Sequence, residues 1–172
     1  MNSNWEQCFA LVLKNEGGYV DNPADPGGAT NLGCTKAVWE QYIGRSVTKD
    51  DIKALTPNDV MPLYKAKYWD TIKGDDLPEG VDYAVFDFAI NSGPGRAAKT
   101  LQSVLGVTAD GQIGPATLRA LETTNPREIA SRVCEARLAF LQALPTWDTF
   151  GKGWGRRVAE VAQTAFTMSV EA

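Results

Sequence analysis

The chain has 172 residues, 44 % of them hydrophobic and 22 % charged, with a net charge of −4 and no histidine. Length and composition fit about one globular domain, which buries roughly 70 % of its unfolded surface without disulfide or metal staples; with no apolar run near ~18 residues, a membrane-spanning helix is excluded along with disorder and collagen. The negative charge argues against a nucleic-acid binder held by phosphate contacts, and the missing histidine excludes Ser-His-Asp and Cys-His hydrolases and His-ligated zinc in their usual forms.

In chain order, Ser3-Asn4-Trp5-Glu6 reads as a capping box. Trp5, Cys8, Phe9, Val12 and Leu13 then follow at helical spacing on one face, and Gly17-Gly18 ends the helix. Residues 19–34 are rich in Asp, Asn, Pro and Gly, which predicts a long turn-rich segment with at most a small hairpin. Thr35 caps a helix through Val38, Trp39 and Tyr42. Thr48 starts a short one, with Asp51 three residues on. Thr56-Pro57-Asn58-Asp59 starts another, expected to run through Met61, Leu63 and Tyr64 towards Trp69. Residues 79–91 read as a largely buried helix. Gly93-Pro94-Gly95 breaks the chain before a helix at 96–105, and Asp110-Gly111 is a turn. Further helices are predicted from Gly114-Pro115 to Leu121, over 126–143, and over about 152–170 beyond Pro145. The fold class is mainly α: one compact helical body of two sequence modules, 1–92 and 93–172.

Cys8, Cys34 and Cys134 are far apart and odd in number, so they read as reduced thiols, most of them in the core. Charge is uneven. Residues 1–90 carry 8 basic and 14 acidic side chains, a net −6; residues 91–172 carry 9 and 7, a net +2. The basic surplus of the second part is either ordinary surface charge or a local preference for an anionic polymer. The N-terminus has no basic start and acidic residues within its apolar stretch, so it does not read as a signal peptide.

Glu16 continues the apolar stripe of the first helix, at i+4 from Val12 and i+8 from Cys8. It also stands in the last turn. Apolar surroundings and the negative helix end both favour a retained proton, which a general acid needs. The alternative is a glutamate that reaches solvent at a frayed helix end. Asp25 and Thr30 lie in the glycine-rich loop downstream. If that loop folds back over the helix end, Glu16 and Asp25 form a carboxyl pair able to cleave a glycosidic bond, with Thr30 holding water. Plain turn chemistry explains Asp-Pro-Gly-Gly equally well.

Glu16-Gly17-Gly18-Tyr19, followed by Asp25-Pro26-Gly27-Gly28-Ala29-Thr30-Asn31-Leu32-Gly33, resembles the signature of the family 108 glycoside hydrolases, which are phage endolysins and N-acetylmuramidases of the lysozyme superfamily. It combines a glutamate, five glycines and a threonine within 18 residues. Tyr64 to Asp70, YKAKYWD, is similar to another motif of that family. Residues 84–118 resemble the predicted peptidoglycan-binding module that follows it, in Phe86-Asp87-Phe88, Asn91-Ser92-Gly93, Leu101-Gln102 and Asp110-Gly111-Gln112-Ile113-Gly114-Pro115-x-Thr117.

The resemblance implies a lysozyme-like fold and a cofactor-free hydrolase of the β-1,4 bond between N-acetylmuramic acid and N-acetylglucosamine, with Glu16 as the acid. Asp25 and Thr30 echo the Glu-x8-Asp-x5-Thr pattern of phage-type lysozymes, but Thr30 is one residue closer. Asn31 occupies the six-residue offset, so the water-holding role lies open between them. Tyr19, Asn31, Asp87 and Asn91 are candidates to line the sugar cleft; Asp87 and Asn91, one turn apart on an apolar helix, could equally satisfy the core. Tyr68, Trp69, Trp147 and Trp154 read as core aromatics before sugar platforms. Asp110-Gly111-Gln112 supplies too few ligands for calcium, and Gly93 to Thr100 lacks the second glycine of a phosphate loop. The partner implied is bacterial peptidoglycan, with no metal, no nucleic acid and no membrane insertion. A monomer is expected in the host cytoplasm, reaching the wall through a pore made by another protein. A lytic transglycosylase and a non-catalytic wall-binding or virion protein are the rival readings.

Overall fold

A computed structural model describes residues 4–21 and 28–171 of the chain. Ser3 and Asp25 therefore lie outside the described residues. The fold is mainly α, as expected, with a small three-stranded sheet where at most a hairpin is expected. The residues group into two compact units, Glu6–Lys67 and Tyr68–Ala172 together with the residues before Glu6.

In the first unit, α1 (Trp5–Asn15) buries Cys8, Phe9 and Val12 along the predicted stripe. The turn-rich segment forms β1 (Val20–Asp21), β2 (Ala29–Asn31) and β3 (Cys34–Thr35), antiparallel in the order β1-β2-β3. Val20 pairs with Thr30, and Asn31 with Cys34. Three threonine caps then start three helices. Thr35 accepts from the Val38 N–H to open α2 (Lys36–Ile43). Thr48 and Asp51 form a capping box on α3 (Lys49–Lys53), and Thr56 and Asp59 form another on α4 (Pro57–Tyr64). Each cap gives a free N–H an acceptor, worth about 1 kcal/mol. The helix expected to reach Trp69 does so with a change of pitch, because α4 passes into a π turn over Lys65–Trp69. Ala29, Val47 and Ile52 make a small core beneath the sheet, covered by Tyr19, Trp39, Ile43 and Leu55.

The second unit is built around α5 (Val81–Ser92), in which every residue from Val81 to Ala89 is buried. It is covered by α6 (Pro94–Leu105), α8 (Pro126–Gln142) and α9 (Trp147–Glu171), with α7 (Pro115–Glu122) against α6. Trp5, Trp69 and Phe86 form an aromatic cluster with ring centroids 5.3–5.5 Å apart. Trp69 is wholly buried and its indole N–H donates to Asp75 at 2.9 Å. The flat backbone of Gly74 lies on that ring, where any Cβ would collide. Gln102, also buried, braces the loop beyond α6: its amide donates to Asp110, Thr117 and the Gln112 carbonyl, and it accepts from the Gly111 N–H. Those are the residues of the 101–117 motif, which is thus a loop-holding network. All three cysteines are free thiols and buried, and burial pushes Cys34 and Cys134 up to about 11. Among the described residues no helix is long and apolar enough to cross a membrane.

Candidate active site

The site starts where α1 stops. Glu16 follows the last helical residue, and its N–H still donates to the Val12 carbonyl at 3.0 Å. The backbone therefore keeps the helical register, and the side chain leaves on the side of the apolar stripe, half-buried.

The β2–β3 hairpin comes to meet it. Its two turn residues, Leu32 and Gly33, both have positive φ, 54° and 76°. A two-residue turn of this hand matches the twist of the strands it joins, and glycine takes it without steric cost. Leu32 does not, and a branched side chain there carries strain of about 1 kcal/mol or more. The Tyr64 hydroxyl, at the end of α4, donates to the Leu32 carbonyl at 2.6 Å and holds the turn. A Cβ on Gly33 would lie 2.6 Å from the Tyr64 oxygen and 2.8 Å from Glu16 Oε2. The carboxyl of Glu16 and the phenol of Tyr64 thus flank one glycine, whose missing side chain lets both approach.

The strand alternation sorts the neighbouring candidates. Ala29 and Asn31 point into the unit, and Thr30 points to the other face, part-exposed. Asn31 is 6 % exposed, and its amide donates to the carbonyls of Ile52, Lys53 and Leu55 at 3.0–3.3 Å. Those carbonyls lie at and just beyond the C-terminal end of α3, where helical donors run out, although Ile52 O also accepts from the Leu55 N–H at 3.2 Å. Tyr19 packs on the small core, with the Lys53 ammonium 5.8 Å from its ring centroid.

Asp87 and Asn91 belong to the second unit. Asp87 is fully buried. Its carboxylate accepts from Arg137 on α8 at 2.7 Å and from Arg157 on α9 at 2.9 Å. The Asn91 amide donates to the Asp87 carbonyl at 2.9 Å, and Asn91 borders a cavity of about 210 Å³ with Ser92, Arg157 and Trp154. Asp87 is thus an interhelical ion-pair centre with no path to solvent of its own.

Sequence reasoning did not single out Tyr64 or Gly33 as site residues. Both stand in motifs quoted above, and a tyrosine opening the 64–70 motif was the available signal. Among the described residues no group of three Cys, Asp or Glu side chains is placed to hold a metal ion.

Comparisons with known proteins identify two family matches and a solved structural relative. The family described as Glycosyl hydrolase 108 matches residues 9–93, which include Glu16, the hairpin and Tyr64. The family described as Predicted Peptidoglycan domain matches residues 96–159. No curated protein matches. Among solved structures, that of Brucella abortus SagA is 48 % identical over 96 % of this chain and 95 % of its own, with a TM-score of 0.88.

Proposed function

The chain belongs to the glycosyl hydrolase 108 family, and from that premise we propose that it is an N-acetylmuramidase, cutting the β-1,4 bond between N-acetylmuramic acid and N-acetylglucosamine. Hydrolysis of peptidoglycan is the coarser activity that family and the adjoining peptidoglycan domain support. The observation that carries the finer reading is the seat of Glu16, a carboxyl at a helix end against the Leu32–Gly33 turn.

In this reading Glu16 donates its proton to the glycosidic oxygen as the bond to the anomeric carbon breaks. Charge then builds on the sugar ring, and a second carboxylate stabilises it and takes a proton from the attacking water. We assign that carboxylate to Asp25. Thr30 suits the water-holding role better than Asn31, because its hydroxyl is on the open face of β2 while the Asn31 amide is committed to α3. Water entering between the two carboxyls opposite the leaving group inverts the anomeric centre. Tyr64 acts as a positioning residue through the turn.

The test is Glu16→Gln, an isostere that cannot donate the proton. Clearance of a purified wall suspension should fall at least ~100-fold with folding intact. Clearance equal to the parent's removes Glu16 from the mechanism. Mass spectrometry of the released muropeptides then separates the chemistries: a hydrated N-acetylmuramic acid end supports hydrolysis, and a 1,6-anhydro end assigns the protein to the lytic transglycosylases. We also propose an endolysin role, with the protein held in the host cytoplasm until another protein opens the membrane. Lysis on co-expression with a pore-former, and none without it, is the expected result.

A further inference from the structure

Three of the nine basic residues of 91–172 share one groove. Arg96, Lys99, Thr100 and Ser103 stand at i, i+3, i+4 and i+7, one face of α6. Arg132, Glu135 and Ala136 form the facing row on α8. Between them runs an open groove of about 770 Å³, lined by these residues with Gly95 and Val104. That volume is in the range of ligand clefts, ~300–1,000 Å³.

The charge in this groove is not neutralised. Three cations face one carboxylate, in a chain whose net charge is −4. Among the described residues, Arg96, Lys99 and Arg132 have no ion-pair partner. Arg96 is nonetheless positioned, because its guanidinium lies 4.1 Å from the centroid of the Phe140 ring on α8. The N-terminal end of α6 adds a partial charge of the same sign. The groove is therefore preorganised for anions, with Thr100 and Ser103 also among its lining residues.

We propose that this groove is a subsite for the carboxylates of the peptide stems of peptidoglycan. The inference rests on peptidoglycan being the polymer bound. The groove lies almost entirely within the residues matched to the peptidoglycan domain. A strand stripped of its stems offers hydroxyls, amides and one lactyl carboxylate per N-acetylmuramic acid; an intact stem ties up that lactyl group and offers its own carboxylates along a peptide. Two guanidinium forks and an ammonium on adjacent helices suit paired carboxylates spaced along an extended peptide. The subsite would hold stem-bearing strands more tightly than stem-free glycan.

The test uses the full chain carrying Glu16→Gln, so that the wall is not consumed, and sacculi stripped of phosphate polymers with hydrofluoric acid. Binding is compared at low and physiological salt on sacculi with intact stems, with stems removed by an amidase, and with stem carboxylates converted to amides. Intact stems should bind roughly tenfold tighter than either modified wall, and salt should narrow the gap. Lys99→Glu with Arg132→Glu should abolish the preference; Lys99→Gln with Arg132→Gln should reduce it. Both positions changed in these variants are exposed, and thermal melting checks the fold. Retention of the parental preference in both double variants overturns the proposal. So does a preference that survives amidation of the carboxylates, or one that appears only when phosphate polymers are left on the wall. Muropeptide release by the parent on wall with intact stems is followed in parallel. Its absence counts against the muramidase reading and leaves the binding comparison to decide the groove.

Discussion

The hydroxyl of Tyr64 and the carbonyl of Leu32, 32 residues apart in the chain, are joined by a 2.6 Å hydrogen bond. The bond ties the end of α4 to a turn residue at φ 54°, a conformation leucine avoids. Tyr64→Phe keeps the ring, which packs on Phe9 at 5.7 Å, and removes the donor. We expect a loss of about 1–2 kcal/mol in stability. A turn released by a fraction of an ångström should lower kcat by about tenfold to a hundredfold, with KM little changed. Denaturant melts and kinetics on soluble glycan check both. A variant with parental kcat would show that the turn is held without the phenol.

Gly33→Ala places a methyl 2.8 Å from Glu16 Oε2 and 2.6 Å from the Tyr64 oxygen, at φ 76°. Either the turn or the carboxyl must move. Turnover should fall more than about 100-fold, and the backbone penalty should cost about 1 kcal/mol or more. Crystallography of the variant would show Glu16 displaced; an unmoved carboxyl with full activity would contradict the geometry above.

Asp82 is buried at the start of α5, where it accepts from the Gly80 and Tyr83 N–H groups at 3.0 and 2.6 Å. Burial outweighs these bonds and raises its carboxyl from 3.8 to about 6. The folded state therefore keeps a proton that the unfolded chain releases. The resulting stabilisation is complete below the unfolded value and is lost as pH rises through about 6; its size is roughly 3 kcal/mol. In Asp82→Asn, the decline in unfolding free energy between pH 4 and 6 should largely vanish. Urea titrations of both proteins across that window measure it, and parallel curves would count against it.

Asp87 bridges Arg137 and Arg157 with no solvent contact. Asp87→Ala leaves Arg137, 2 % exposed, buried without its counter-charge. We expect about 3–5 kcal/mol of destabilisation. Glycan turnover per folded molecule should stay near the parent's, because the residue acts on helix packing. A thermal midpoint within a degree or two of the parent's would reject this role.

Much of the architecture follows from short-range chemistry. Thr35, Thr48 and Thr56 each sit immediately before a helix, and the cap is made within three residues of the residue that makes it. The stripe from Cys8 to Val12 is legible for the same reason, since helical periodicity is local. The π turn at Lys65–Trp69 is not, because the i, i+4 pattern of α4 carries no mark of a one-residue change in pitch. Nor is the destination of Asp87: an acidic residue on an apolar helix reads alike whether a sugar or two arginines face it.

From its residues alone, the chain determined an α-rich fold, a glutamate at the end of the first apolar stripe and a glycine-rich hairpin beyond it. Only folding decided that Gly33 would lie between Glu16 and Tyr64, that Thr30 and Asn31 would part to opposite faces, and that Arg96, Lys99 and Arg132 would share one groove. Local patterns are set by bonds a few residues long. A site depends on which distant surfaces pack together, and that is fixed by the burial of the whole core.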